Sequence, residues 1–347
     1  MKIPPIVLVL LAMVAHEAKS ESLDSLPVYK PEQKVSGTIR SRGNNFMDVM
    51  MKNWEEGFRG YHPDIRFDDD LKSTAHGIPA LYFDLADLAL MGREIAPLEN
   101  LAFRRMFKYD PLEITVATGS YNVPYQTFAF AILVHKNNPL TGLTLPQLAA
   151  VFGCGAGRNI RKWGQLGLTG DWADKPIHVL GYPTGNNLAS FFELKVLNSP
   201  PSGGPTLPQG VRWNCDMKEY SNKYDEHDRP VISADELIMQ DLGHDPYGIA
   251  YSGIAKKTPQ VKALALAAKE GAPFVQMSLE TVADRSYPLT RSLYIYINRA
   301  PGKPMDPRVK EFLRYVLSRE GQQSVSRQHV FLPLTVEVVH EQLKKLE

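Results

Sequence analysis

Residues 286–334 constrain the fold of this chain more than any other stretch. Tyr287-Pro288-Leu289-Thr290-Arg291 is a stiff approach, because proline fixes its own φ and biases the preceding residue towards extended backbone. Residues 293–297 then alternate aromatic and aliphatic side chains, as a buried strand does. Asp306-Pro307 supplies an N-cap carboxylate and a proline at the first helical position. Val309, Phe312, Leu313, Val316 and Leu317 recur at helical spacing on one face, and Gly321 is the expected stop. A strand feeding an amphipathic helix is an α/β unit, and 347 residues suffice for two lobes of about 100–200 residues each.

The same alternation runs through the rest of the chain. Strands are expected at 35–40, from 65, at 87–94, 114–117, 127–135, 177–180 and 248–251, and helices through Met47, Met50, Trp54 and Phe58, at 143–152 with Thr144 as cap, and at 233–242. Three turns lead into helix starts: Arg40 to Asn45, Lys72 to Ile78, and Gly181 to Asn187. Such starts carry unsatisfied N–H groups and the positive end of a dipole, so each can hold an anion or merely cap itself. Residues 21–34 read as a loose arm and 198–230, rich in Pro and Gly, as irregular. Strand–helix alternation without a nucleotide fingerprint gives an α/β architecture.

Lys+Arg at 39 against Asp+Glu at 38 argues against a nucleic-acid or polybasic membrane binder. Residues 1–20 read as a cleaved secretory signal: Lys2, an apolar run over 6–15 too short to span a bilayer, and small residues at Ala18 and Ser20. No other segment is apolar enough to cross a membrane, so the mature chain is expected to have no span. Cys154 and Cys215 either form one bridge or stand as two thiols. No catalytic residue, metal site or cofactor is expected. G-x-S-x-G, H-E-x-x-H and the P-loop are absent, and the eight histidines beyond His16 lack ligand spacing.

With those residues in view, the order YPLTR, LYIYI, helix, EGQ, LPL resembles the C-terminal part of phosphate-type periplasmic solute-binding proteins, the substrate-binding subunits of phosphate ABC importers. Asn137-Asn138-Pro139-Leu140, Leu143-Thr144, Val151-Phe152-Gly153, Ile160 and Trp163 resemble a second passage of that family, and Pro246 to Tyr251 a third. The resemblance covers about residues 35–334. It implies a two-lobed type II periplasmic binding protein, with one lobe from 35–128 and 288–347, the other from 129–287, and the ligand between them. It also implies a periplasmic or secreted, non-catalytic protein that takes a small anion, phosphate first, with an ABC importer membrane subunit as partner. A secreted interaction or sensor protein with a diverged cleft, and a binder of another oxyanion or small polar solute, are the alternatives.

Carried over by residue, the family's ligand loops fall on Asn44, Asn45 and Phe46, on Thr74, and on Asp87 and Arg93. Asp87 as an acceptor would favour an anion that still carries a proton, whereas Arg93 would donate to the anion or tie the lobes; a structural ion pair is the other role open to each. The third loop departs from the family pattern. The arginine place holds Leu180 or Gly181, and Ser-Gly-Thr becomes Thr184-Gly185-Asn186 or Gly185-Asn186-Asn187. The missing positive charge then has to come from Arg158, Arg161 or Arg291, or the ligand is less charged.

Overall fold

The computed structural model describes residues 23–123, 127–155, 159–184, 186–197, 212–227 and 229–347. The C-terminal stretch forms the expected strand Ser292–Ile297, and this strand is inserted into a sheet begun far earlier in the chain. The first sheet runs Ile65–Asp70, Gly37–Gly43, Leu88–Met91, Ser292–Ile297, Leu112–Thr118. Its first three strands are parallel, while Ser292–Ile297 lies antiparallel to both neighbours. The second sheet runs Lys218–Glu219, His178–Gly181, Gly248–Ser252, Ala131–His135, Val261–Ala263.

Ten α-helices flank these sheets among the described residues: α1 (Asp48–Tyr61), α2 (Thr74–Tyr82), α3 (Pro97–Phe107), α4 (Leu145–Phe152), α5 (Asn187–Phe192), α6 (Ala234–Leu242), α7 (Leu279–Ala283), α8 (Pro307–Val316), α9 (Arg319–Ser326) and α10 (Val336–Lys344). Each sheet has its own apolar core. Met50, Trp54 and Phe58 of α1 pack with Phe312 and Val316 of α8 against the first sheet. Phe152, Phe192 and Tyr251 pack on the second, with the rings of Phe192 and Tyr251 stacked at 4.1 Å.

The chain leaves the first sheet after Thr118 and returns at Ser292, so two segments cross between the sheets. They are tied together by backbone bonds from Gly119 N to Arg291 O (2.9 Å) and from Phe130 N to Leu289 O (3.1 Å). Paired crossing segments permit one half to rotate against the other without breaking either core.

Two expectations are corrected and one open alternative is resolved. Gly321 does not end the helix opened at Asp306. That helix stops at Val316, and Gly321 sits inside α9, where a Cβ would lie 2.2 Å from Tyr315 O and 2.4 Å from Val316 O. It is a close-approach residue, not a cap. The arm is not loose over its described part: Leu26 and Tyr29 are buried, and Glu311 accepts from the N–H groups of Glu32 and Gln33. The Cys154 and Cys215 sulfurs lie 4.0 Å apart, beyond a disulfide bond of about 2.05 Å, so no bridge joins them here.

Candidate functional site

A cleft of about 500 Å³ opens where the two sheets face each other beside the crossing segments. The first sheet contributes Asn44, Phe46, Thr74, Gly92 and Arg93 to its lining. Asn44 follows strand Gly37–Gly43 and caps a short turn into α1, its Oδ1 accepting from the Phe46 N–H at 2.7 Å. The amide nitrogen remains for another acceptor. It rests against Gly92, where a Cβ would come within 2.1 Å of it, so only glycine leaves the amide that place. Thr74 is the first residue of α2, whose cap is Ser73.

Arg93 is buried and lines the cleft, but both its terminal nitrogens donate to Glu99, each at 2.8 Å. Only its Nε is buried without a partner. A bidentate pair of this kind fixes the guanidinium plane and largely cancels its charge.

Arg291 enters from the crossing segment and is the cleft's other described cation. It is 5% exposed, and its Nη2 donates to Gly92 O at 3.0 Å. Its guanidinium lies 5.1 Å over the Phe191 ring and 5.7 Å over the Phe130 ring. Among the described residues no carboxylate is within ion-pairing distance of it, and its Nε is buried without a partner. Burial pushes its pKa down to about 10, against nearby negative charge from Glu94, which still leaves it a cation at neutral pH.

The facing wall consists of Tyr182, Asn186, Leu188, the strip Tyr220-Ser221-Asn222 with Tyr224, and the start of α6. Asn186 caps α5, accepting from the Leu188 N–H at 2.8 Å. Ser233 caps α6, and Asn222 Oδ1 accepts the Ala234 N–H at 2.9 Å, which pins the 220–224 strip to that helix. Asp235, in the first turn of α6, accepts a short hydrogen bond from the Tyr182 hydroxyl, which also lies 3.0 Å from Ser252 Oγ. Burial raises the pKa of both Tyr182 and Asp235.

The cleft therefore gathers Asn44, Phe46, Thr74, Arg93 and Asn186 from the residues singled out in the sequence. Asn45 is exposed in the turn and does not line it, nor does Thr184, whose N–H donates to Glu219. Asn187 is the first residue of α5, and Gly185 lies outside the described residues.

Asp87 is a correction. It precedes strand Leu88–Met91, whereas Arg93 follows it, so about 16 Å of extended chain separates Asp87 from the cleft end. Its carboxylate accepts from Arg40 N at 2.8 Å and from Arg40 Nη2 at 2.9 Å, beside a separate hollow. It is the structural ion pair that the sequence left open.

Of the other candidate cations, Arg161 spends its nitrogens on the carbonyls of Ala150, Val151, Gly153 and Ile160, and Arg158 lies outside the described residues. Sequence reasoning missed Gly92, Thr127, Phe128, Tyr182, the 220–224 strip and Asp235. The one available signal was Ser233 with Glu236 three residues later, an N-terminal signature that marked α6 without showing that it faced the cleft.

Two sheets joined by two crossing segments around a cleft that polar side chains line from both sides define a two-lobed, hinged solute-binding protein. The chain belongs to the PBP superfamily, and within it to the phosphate-type solute-binding proteins: the model described as "PBP superfamily domain" matches residues 29–320. It is 33% identical over 326 residues to the phosphate-binding protein PstS of Pseudomonas aeruginosa, covering 93% of this chain and 91% of that one. Among solved structures, PstS from Borrelia burgdorferi aligns with a TM-score of 0.57 at 16% identity, over 87% of this chain and 100% of the other. An ABC-type phosphate transport receptor from Vibrio cholerae gives 0.54 at 18%, over 85% and 99%. At these identities the two structures establish the fold alone. Among the described residues no helix is long and apolar enough to cross a membrane.

Proposed function

We propose that this chain captures phosphate between its two halves and delivers it to the membrane subunit of an ABC importer. Residues 1–20 direct export and are removed, so the mature protein works in the periplasm or outside the cell. The first lobe comprises 35–128 and 288–347 and the second 129–287, with the segments near Gly119 and Leu289 as the hinge. The role is capture, without chemistry on the solute.

The observation that carries this reading is Arg291, a buried guanidinium facing the cleft with no carboxylate partner among the described residues. A buried cation is costly without a counter-charge, and an anion arriving in the cleft supplies one. Arg291 thus takes over from the arginine missing in the third loop. Asn44, Thr74 and Asn186 add neutral donors around it. The family relative named a phosphate-binding protein supports phosphate as that anion.

The test is calorimetric titration of the mature chain, unfolded and refolded to strip carried-over ligand, with phosphate and then sulfate. Micromolar or tighter phosphate binding supports the reading; heatless injections of both anions overturn it.

A further inference from the structure

Granting that the cleft captures an oxyanion, we infer that it also takes a zwitterionic one, an aminoalkylphosphonate, with the acid group at Arg291 and the ammonium at Asp235. Three observations carry this.

The first is the charge balance. Arg93 is cancelled by Glu99 through two bonds of 2.8 Å. Glu94 is held by Lys195 at 2.7 Å. Among the described residues that line the cleft, one cation, Arg291, and one carboxylate, Asp235, remain. A fully ionised anion would meet one favourable and one opposing charge and a protonated one could donate to Asp235, while a ligand carrying both signs satisfies the two ends with full charges.

The second is the placement of the two charges. The Arg291 guanidinium lies over the Phe130 ring, that ring stacks on Tyr182 at 6.0 Å, and the Tyr182 hydroxyl donates to Asp235. Arg291 and Asp235 are thus linked through one aromatic stack behind the wall and both line the same cleft, where a single ligand with a short alkyl spacer can meet the two. Asp235 is 7% exposed and lines the cleft together with Phe128, Tyr220 and Tyr224, aromatic side chains of the kind that receive ammonium groups and methylenes well. Burial raises the pKa of Asp235, and an arriving ammonium favours its ionised form.

The third is size. A cleft of about 500 Å³ falls within the range of about 300–1,000 Å³ typical of sites for organic ligands. Inorganic phosphate is far smaller than that volume.

The experiment is calorimetric titration of the mature protein with 2-aminoethylphosphonate, methylphosphonate and inorganic phosphate, repeated with Asp235→Asn after circular dichroism has confirmed its fold. The native protein is expected to bind 2-aminoethylphosphonate about tenfold or more tightly than methylphosphonate, the effect of one charge-assisted hydrogen bond. Asp235→Asn is expected to bring the two within about twofold. Equal affinities in the native protein, a comparison that needs no variant, overturn the inference, as does a preference that survives Asp235→Asn. Phosphate binding without preference for the amine overturns this inference alone; no binding of any of the three overturns the oxyanion reading with it.

Discussion

Lys195 Nζ lies 2.7 Å from Glu94 Oε1, joining the helical turn Glu193–Leu197 that follows α5 to the residue after Arg93, just beyond strand Leu88–Met91 of the first sheet. Glu94 also accepts from the Tyr294 hydroxyl at 2.9 Å. Despite burial, the charge and hydrogen bond of Lys195 hold its pKa below the usual carboxylate value. The pair thus spans the two halves next to the cleft and favours their approach. Because the Lys195 side chain is 41% exposed, the pair contributes about 0.2–1 kcal/mol. Lys195→Ala is expected to weaken ligand binding by up to about fivefold, mainly through faster release, with the difference from native shrinking at high salt. Stopped-flow dissociation at two ionic strengths measures this.

His62 is fully buried, with Nδ1 accepting from Val35 N at 3.3 Å and Nε2 2.7 Å from the Tyr29 hydroxyl, which donates to Glu311. That geometry requires the neutral ring. Burial lowers its pKa below that of a free imidazole, so the unfolded chain binds the proton more readily. Stability from this site is therefore present above about pH 6.5 and is lost as pH falls below it. Melting temperature should drop between about pH 7.5 and 5.5, and His62→Gln should flatten that slope while lowering stability at pH 7.5.

Cys154 and Cys215 stand close enough for small side-chain rotations to join them. Mild oxidation by a disulfide oxidant is expected to abolish both thiols and to stabilise the fold by about 2–4 kcal/mol. Thiol counting by alkylation and mass spectrometry, with parallel denaturant melts, checks both. The bridge would anchor the segment leading to the Tyr220–Tyr224 strip of the cleft.

Gly92→Ser adds a side chain where Gly92 now leaves room for the Asn44 amide. Its Cβ would displace the Asn44 amide, which a Cβ at this position approaches to 2.1 Å. Losing one neutral hydrogen bond costs about 0.5–1.5 kcal/mol, so phosphate affinity should fall about two- to tenfold. Because the displaced atom ends a side chain, melting temperature should move little. Calorimetry and a thermal melt together test the claim.

The fold was legible where period and punctuation agreed. Asp306-Pro307, the apolar stripe after it and the Leu293–Ile297 run read directly as helix and strand. Gly321 was misread because a glycine that permits close helix contact looks in sequence like one that ends a helix. Asp87 was misplaced for a related reason: it and Arg93 share one motif, but a strand between them sends them to opposite ends. The second wall of the cleft was invisible. Asp235 and Tyr182 lie 53 residues apart and meet only through tertiary pairing of their strands and helices. Arg291 could be noticed beside the hinge, but its lack of a carboxylate partner is a property of the packed structure.

The account turns on Arg291 as the charge that holds the anion. The most direct measurement compares phosphate affinity of native protein and Arg291→Gln by calorimetry, with circular dichroism and thermal melts as the fold control. Losing one charge-assisted bond in a buried site should weaken binding about ten- to a hundredfold. A folded Arg291→Gln protein that binds phosphate as tightly as native would contradict the account.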